Sequence, residues 1–327
     1  MSDWRPSAAL DTLRLRARLM STIREFFAEA NVLEVETPVL SRTAGTELHL
    51  QSFATQYCGP QAPPGGRLYL HTSPEYPMKR LLAAGSGSIY QISKVFRDGE
   101  AGSRHNPEFT LLEWYRTGYD YLQLMDDVES LVVRLLPERL SRQQTQRLTY
   151  RDAFLRYADI DPHTADAAAL AACARRHGIE TAWGTEQTDP NLWLDLLMTH
   201  VVEGQLGQNC LSFIYDYPAD QASLARVRPG QPALAERFEL YVQGMELANG
   251  FQELADSKEQ RLRFERDNAV RQERELPILP IDENLLAALE YGLPPCAGVA
   301  LGVDRLMMLV TDVRRIQEVI AFPVDRA

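Results

Sequence analysis

The sequence predicts an α+β fold, a largely antiparallel β-sheet flanked by helices. Three observations predict it: a long amphipathic helix near the start, β-rich runs arriving in hairpin-like groups, and no strict strand–helix alternation of the kind a parallel sheet requires. The 327 residues are 45% hydrophobic and 24% charged, enough to bury a proper core.

Leu13, Ala17, Met20, Ile23, Phe27 and Ala30 recur at helical spacing, which predicts a helix over Leu10–Ala30. Asn31 suits its end, and Val32–Val35 continues as an extended run that stops at Thr37-Pro38. Such a helix can serve a dimer interface or an intrachain core, and pattern alone leaves both open. Gln61–Gly66 is a loop. Arg67–His71 and Ser88–Ser93 read as short strands, with a helix over Tyr76–Ala84 between them. Tyr121–Leu136 reads as a helix ended by Pro137. From about 138 to 210 the chain reads as helical and Ala-rich, broken by turns at Asp161-Pro162 and Asp189-Pro190. Leu211–Tyr217 is a strand closed by Pro218, and Phe238–Leu254 reads as extended with a turn or bulge signal at Asn249-Gly250. A charged, exposed helix over Glu259–Glu275 follows, then a shorter one over Asn284–Tyr291. A Gly-rich strand over Ala297–Gly302 and a helix from Asp304 to about Val310 complete the pattern.

Composition excludes several classes. No segment has the length and apolarity of a transmembrane helix, and Met-Ser-Asp-Trp-Arg does not open a signal peptide. Cys58, Cys173, Cys210 and Cys296 form no C-x-x-C pair, and the six histidines form no ligand cluster. That argues against a disulfide framework or structural zinc, and for a reducing, cytoplasmic setting. A net charge of −11 disfavours a broad nucleic-acid surface.

The chemistry concentrates in Val95–Tyr115, where two arginines, an Asn and several carboxylates stand between apolar runs. Buried charges of this kind need a charged counterpart. Arginine suits bidentate phosphate contact, Phe109 can cover a flat base, and Glu113 with Tyr115 can hold a cation. Gly85-Ser86-Gly87 leads into a strand and offers no helix N-terminus for phosphates, so any nucleotide is held by side chains. Arg97 and Arg305 are the candidates, Arg305 following Gly298 and Gly302, glycines that let a ligand approach the strand. Glu246 and Glu253 lie in small, apolar company and suit magnesium, which takes one or two carboxylates plus phosphate oxygens. Their odd separation places them on opposite faces of a regular strand, so a bulge is needed to bring them together. Glu75 begins a helix, with Ser73 placed to cap it.

These pieces, in this order, resemble the class II aminoacyl-tRNA synthetases, and specifically the lysyl-tRNA synthetase catalytic core. The first motif of that family is similar to the helix and strand ending at Thr37-Pro38. Its second is similar to Phe96-Arg97 through His105-Asn106-Pro107-Glu108-Phe109 to Glu113-Trp114-Tyr115, and its third to Gly302-Val-Asp-Arg305. The run Glu246-Leu-Ala-Asn-Gly-Phe-Gln-Glu253 resembles the lysine enzyme's metal and substrate strand. The resemblance implies a homodimer that uses ATP with Mg2+, and a single catalytic domain over 1–327 with a mainly helical insertion at 138–210. The first motif starts near residue 10, which leaves no room for an anticodon-binding OB domain. The match therefore narrows to the stand-alone paralogue family, the elongation factor P–(R)-β-lysine ligases, which attach β-lysine to a lysine side chain of elongation factor P.

That resemblance implies the site roles. Arg97 and Arg305 are the catalytic pair on the α- and γ-phosphates. Asp98, Gly99, Asn106 and Phe109 contact ATP from the second motif, as do Glu246, Leu247 and Gly302 from the later strands. Glu246 and Glu253 hold the metal. Glu113 and Tyr115 bind the distal ammonium of (R)-β-lysine or lysine, while Ser73, Pro74, Glu75, Asn249, Glu253 and Ala300 surround the rest of it. Two departures separate the chain from the lysyl enzymes: Ser73-Pro74-Glu75 replaces Ala-Pro-Glu, and Ala300 replaces Gly. The added hydroxyl and methyl reshape the space where α- and β-lysine differ, a discrimination typically of about 1–3 kcal/mol. A third departure is Arg97-Asp98-Gly99 where the family commonly has Arg-Asn-Glu; either Glu100 substitutes through a shifted loop or a backbone group serves. The competing expectations are a truncated synthetase that charges tRNA, which the acidic charge disfavours, an amino-acid amide synthetase, and a non-catalytic subunit that senses an amino acid.

Overall fold

The computed structural model describes residues 4–136, 145–181 and 188–327. The chain divides into two compact units, and the strand Cys296–Gly302 contributes residues to both.

The first unit comprises the residues up to Gly118 together with Ala255–Cys296 and Ala300–Ala327. Its first helix spans Leu10–Glu29, and Asn31 takes up the left-handed turn after it, with φ 53°. The apolar stripe buries Leu19, Ile23 and Phe27; Phe27 stacks on Tyr90 at 4.3 Å and meets Trp114 edge-on at 5.5 Å. That face therefore packs within the chain. The short strand Leu33–Glu34 runs parallel to Ile89–Phe96, which pairs antiparallel with Glu108–Thr117. The last strand is buried without a break from Thr110 to Tyr115, so its sequence is continuous rather than alternating, and Glu113 is enclosed with it. A second, three-stranded antiparallel sheet joins Leu40–Ser41, Arg67–Leu70 and Ala54–Gln56. Its short outer strands carry no periodic signal and were not expected.

Helices Glu75–Ala83, Ser257–Glu273, Glu283–Gly292 and Val303–Thr311 complete this unit. The helix at Ser257–Glu273 corrects one expectation, because it is not simply an exposed charged helix. It buries Phe264, Gln260 and Arg271, and the Arg271 guanidinium donates to the Pro277 carbonyl at 2.9 Å, the Gln51 side chain at 3.1 Å and the Glu47 carbonyl at 3.3 Å. A fully hydrogen-bonded arginine in the interior is invisible to hydropathy, which counts it as surface.

The second unit comprises Tyr119–Leu254 and Ala297–Val299. Its helix Tyr121–Leu135 starts with a reciprocal capping box between Asp120 and Gln123. Gln146–Thr149 pairs parallel with Ser212–Pro218, which is antiparallel to Leu234–Val242, which in turn is antiparallel to Met245–Gln252. Helices Tyr150–Tyr157, Ala167–Arg176 and Pro190–Leu197 pack Phe154, Leu170, Trp193 and Leu197 into one core with Ile214. Of the stretch expected to be helical, 138–144 and 182–187 lie outside the described residues. Asp189-Pro190 opens a helix rather than only turning the chain: Asp189 caps it and Pro190 occupies its first turn, where a missing N–H costs nothing.

The run expected as one extended segment, Phe238–Leu254, is a hairpin. Its turn lies at Gln243-Gly244, both with positive φ (52° and 66°), as a tight primed turn requires. The register slips between Leu240 and Tyr241, whose partners are Ala248 and Glu246, so Leu247 is the extra, bulged residue. Asn249-Gly250 is thus neither turn nor bulge. Gly250 is glycine because a Cβ there would lie 2.5 Å from the Phe238 ring and 2.8 Å from Val299.

Candidate active site

In the first unit the expected amine-binding residues come together. Ser73 lies just before the helix Glu75–Ala83, where its hydroxyl accepts the Glu75 N–H at 3.0 Å and donates to Glu113 Oε2 at 2.7 Å. Tyr115 donates to the other Glu113 oxygen at 2.6 Å. Their register opposite Ile89–Phe96 places Glu113 and Tyr115, two residues apart, on one face of the strand. Pro74 is buried at the N-cap position. Glu75 pairs with Lys79, one turn along the helix, at 2.5 Å, and Lys79 is only 1% exposed. Burial, and then the charge of Glu75, push the Glu113 carboxyl up to about 7, against the opposing hydrogen bonds from Tyr115 and Ser73 and the charge of Lys79. Two enclosed carboxylates with one enclosed lysine leave an anionic excess, which an incoming ammonium would satisfy. Lys79 was missed from sequence, although its i,i+4 spacing from Glu75 was the available signal.

A second group surrounds Arg97. Its guanidinium lies over the Phe109 ring, 5.0 Å from the centroid, and pairs loosely with Glu100 at 3.8 Å. Its Nε is buried with no hydrogen-bond partner among the described residues, an orphaned donor of the kind a phosphate oxygen would satisfy. Asp98 and Gly99 are exposed, and Gly99 has φ 82° with open space around it. The glycine is thus explained by backbone conformation: the left-handed turn carries the chain so that Glu100, rather than residue 99, reaches Arg97. The buried Asn106 amide donates to the Glu108 carbonyl at 2.6 Å and accepts the Val324 N–H at 3.1 Å, tying this loop to the C-terminal segment. Arg305 bonds the His105 Nε2 at 2.8 Å; burial first, and then Arg305, hold that imidazole below its usual range, so it is neutral. Gly302 caps the helix Val303–Thr311 with ordinary φ, and a Cβ there would meet nothing closer than 3.7 Å. Protein packing does not demand a glycine at this point, and a Cβ would meet only the Arg305 side chain at ordinary contact distance. Ala300 sits two residues earlier on the same strand.

Residues that sequence reading did not single out fix this group. Arg16 pairs with the buried Asp304 at 2.6 Å and donates to the Thr110 hydroxyl at 2.8 Å, while the Thr110 N–H donates to the other Asp304 oxygen at 2.6 Å. This clamp joins the first helix, the strand beside Phe109 and the helix bearing Arg305. Arg16 and Asp304 are 288 positions apart, so no local signal marks them. Arg16→Ala is expected to destabilise the fold by about 3–5 kcal/mol by leaving the Asp304 charge uncompensated. Urea unfolding checks this, and a loss under ~1 kcal/mol would remove the clamp from the account.

In the second unit, the bulge at Leu247 resolves the parity problem. Glu246, Asn249, Phe251 and Glu253 now share one face of their strand, while Leu247 and Ala248 are both buried on the other. Leu247 thus presents only its backbone on the side of Glu246. Glu239, opposite Asn249, accepts from the Asn249 amide at 3.2 Å, from Tyr241 at 2.5 Å and from the Arg237 guanidinium. Arg237 also reaches the Asn249 carbonyl oxygen at 3.3 Å and lies within the electrostatic reach of Glu246. Asn249 is therefore held in a fixed orientation, and Glu253 is buried at the end of the run. Among the described residues no three His, Cys, Asp or Glu side chains gather into a metal site. A same-face pair of carboxylates is nevertheless the donor set magnesium takes when phosphate oxygens and water complete its shell.

The family model of the class II tRNA synthetases (D, K and N) matches residues 1–326, and the chain belongs to that family. Within it, the chain is 53% identical over 327 residues to a protein of Proteus mirabilis (strain HI4320) named elongation factor P–(R)-β-lysine ligase. Proteins of the same name from Yersinia enterocolitica (52% over 326 residues) and Klebsiella pneumoniae strain 342 (51% over 326 residues) are similar to it as well. Each alignment covers 100% of this chain and 99% of the relative.

Proposed function

We propose that the protein activates (R)-β-lysine with ATP and transfers it to the ε-amino group of a lysine on elongation factor P, forming AMP and pyrophosphate. One observation carries the reading: the end-to-end likeness, above half identical, to proteins named for this reaction. The enclosed Glu113, held between Ser73 and Tyr115, supports the cationic side chain of the substrate. No helix among the described residues is long and apolar enough to cross a membrane. We read the chain as one cytoplasmic catalytic domain working as a homodimer, its insertion over 138–210 carrying the helices Tyr150–Tyr157, Ala167–Arg176 and Pro190–Leu197 and the strand Gln146–Thr149 among the described residues.

The β-lysine carboxylate attacks the α-phosphorus of ATP in line, and pyrophosphate leaves. Arg97, whose Nε is an unused buried donor, neutralises the α-phosphate as charge develops there. Arg305 holds the γ-phosphate, and Phe109, whose ring also lies under the Arg97 guanidinium, covers the adenine. Asp98, Gly99, Asn106 and Gly302, all of the first unit, shape the nucleotide site, largely through backbone. Glu246 and Glu253, on one face of their strand in the second unit, would hold Mg2+, which would supply positive charge to a nucleotide's phosphates. Glu113 and Tyr115 take the distal ammonium; Ser73, Pro74, Glu75 and Ala300, also of the first unit, enclose the rest of the amino acid. Positioning and neutralised charge account for the first step without a side-chain nucleophile.

The test incubates the protein with ATP, α- or β-lysine, and either tRNA or elongation factor P, and reads the acceptor's mass. The expected result is a β-lysyl adduct on elongation factor P. A product on tRNA alone, or none with either acceptor, would overturn the reading.

A further inference from the structure

The amide-forming step leaves one requirement unmet. A lysine ε-amine is an ammonium at neutral pH and must lose a proton before it can attack the acyl adenylate. None of the residues assigned so far is placed to take it.

A cavity of about 250 Å3 in the first unit begins at Ser73 and Glu75 and continues past Glu47, His71, Thr43 and Asp282. Arg42, Arg80 and Tyr76 supply donors to its walls, and two of its acceptors have none. Glu47 Oε2 is buried with no hydrogen-bond partner among the described residues. His71, 9% exposed, has its Nε2 within 2.7 Å of the Lys94 carbonyl, so Nε2 carries the proton and the buried Nδ1, which has no partner, is a bare lone pair. Burial keeps that imidazole neutral by lowering its pKa. The backbone is built around the Glu47 carboxylate: a Cβ on Gly45 would lie 2.2 Å from Oε2, so the small residue lets the side chain fold back over its own loop. The Glu47 carbonyl in turn accepts from Arg271 at 3.3 Å, which pins the loop from behind. An alkylammonium, with three donors and one positive charge, is the ligand such a surface fits.

We propose that Glu47 is the general base of the transfer step, receiving in this cavity the proton of the acceptor lysine's ammonium. This rests on the reaction read above. The Glu47 carboxylate takes one proton from the ε-ammonium; the free amine then bonds to the carbonyl carbon of the β-lysyl adenylate. The bond from that carbon to the phosphate oxygen breaks, AMP departs with the electron pair, and the second amine proton passes to the departing phosphate or to water. Glu47 lines the same cavity as Ser73 and Glu75, the residues read above as enclosing the amino acid, so the cavity joins its carboxylate to the amine side of the site.

Its protonation fits the task. Desolvation by burial, then the charges of Glu75 and Asp267, push the carboxyl up to about 7; its own backbone hydrogen bond and Arg97 oppose them. Arg42, Arg80, Tyr76 and Asp282 line the cavity with it and Arg271 packs behind the loop; Tyr76 stays neutral because burial, then Glu47, Glu75, Asp282 and Asp267, raise it well above its ordinary value.

The experiment separates the two half-reactions in Glu47→Gln. β-Lysine-dependent ATP–pyrophosphate exchange should stay near the wild-type rate, which also certifies the fold. Single-turnover transfer of β-lysine to elongation factor P should fall by about 100-fold or more. Its pH profile should lose the rise through about 7 that the wild type shows, because the base works only when deprotonated. Hydroxylamine, already unprotonated at neutral pH, should capture the adenylate at equal rates in both proteins. Transfer at the wild-type rate, an equal loss of exchange and transfer, or an equal loss with hydroxylamine would each overturn the assignment. An inactive wild type would instead remove the parent reaction.

Discussion

Arg97→Ala is expected to abolish β-lysine-dependent ATP–pyrophosphate exchange, by about 1,000-fold or more, while the thermal unfolding transition stays near that of the wild type. The size follows from removing a preorganised cation from the charge that develops at the α-phosphorus. The structural cost is small because, among the described residues, the Arg97 guanidinium makes a loose 3.8 Å pair with Glu100 and a face contact with Phe109. Glu100→Gln serves as the companion variant: if Glu100 replaces the family's missing carboxylate at residue 99, exchange falls there too, by a smaller factor. Exchange within a few-fold of normal in Arg97→Ala would sink the phosphate role.

The second large effect is expected at Glu113. Replacement by Gln keeps the shape and the acceptor oxygen but removes the charge, and the KM for β-lysine should rise by about 100-fold. A buried, hydrogen-bonded charge pair that loses one partner costs roughly 2–5 kcal/mol, and each 1.4 kcal/mol is about tenfold. Its pH dependence has a defined sign. The folded Glu113 carboxyl sits at about 7, above its ordinary value of 4.5, so the folded protein holds a proton that the unfolded chain releases. Its contribution to stability is therefore full below about 4.5 and is lost as the pH rises through about 7. Ammonium binding needs the charged form, so the KM of the wild type should fall as the pH rises through that window, and the rise in Tm on adding β-lysine should grow. Glu113→Gln should flatten both curves. A wild-type KM that ignores pH between about 6 and 8 would contradict this account.

Much of this was legible in the residues. The helix at Leu10–Glu29 and the strand holding Glu113 announce themselves through spacing and continuous apolarity, because each buries a broad face. Arg97, Phe109, Glu113, Tyr115 and Arg305 were readable as chemistry because charged and aromatic side chains amid apolar runs need a counterpart. What stayed hidden was non-local or disguised. Arg271 lies in a helix that hydropathy marks as exposed, and Arg16 meets Asp304 across 288 positions. The need for a bulge between Glu246 and Glu253 was readable from their odd separation. Its position at Leu247 was not, because Asn249-Gly250 looks like a turn until Phe238 is seen packed against the glycine.

By itself, the sequence determined the α+β class, the order of the elements and the residue types that meet phosphate and ammonium. Those are properties of local spacing and of side-chain chemistry, which every chain carries in one dimension. Only the tertiary structure decided which carboxylates are charged and which way they point. Protonation depends on burial and on neighbours from distant segments: Glu113 is raised by its enclosure beside Glu75, and Glu47 by a loop pinned under Arg271. Desolvation and Coulomb energy act through space, and no spacing rule along the chain can encode them.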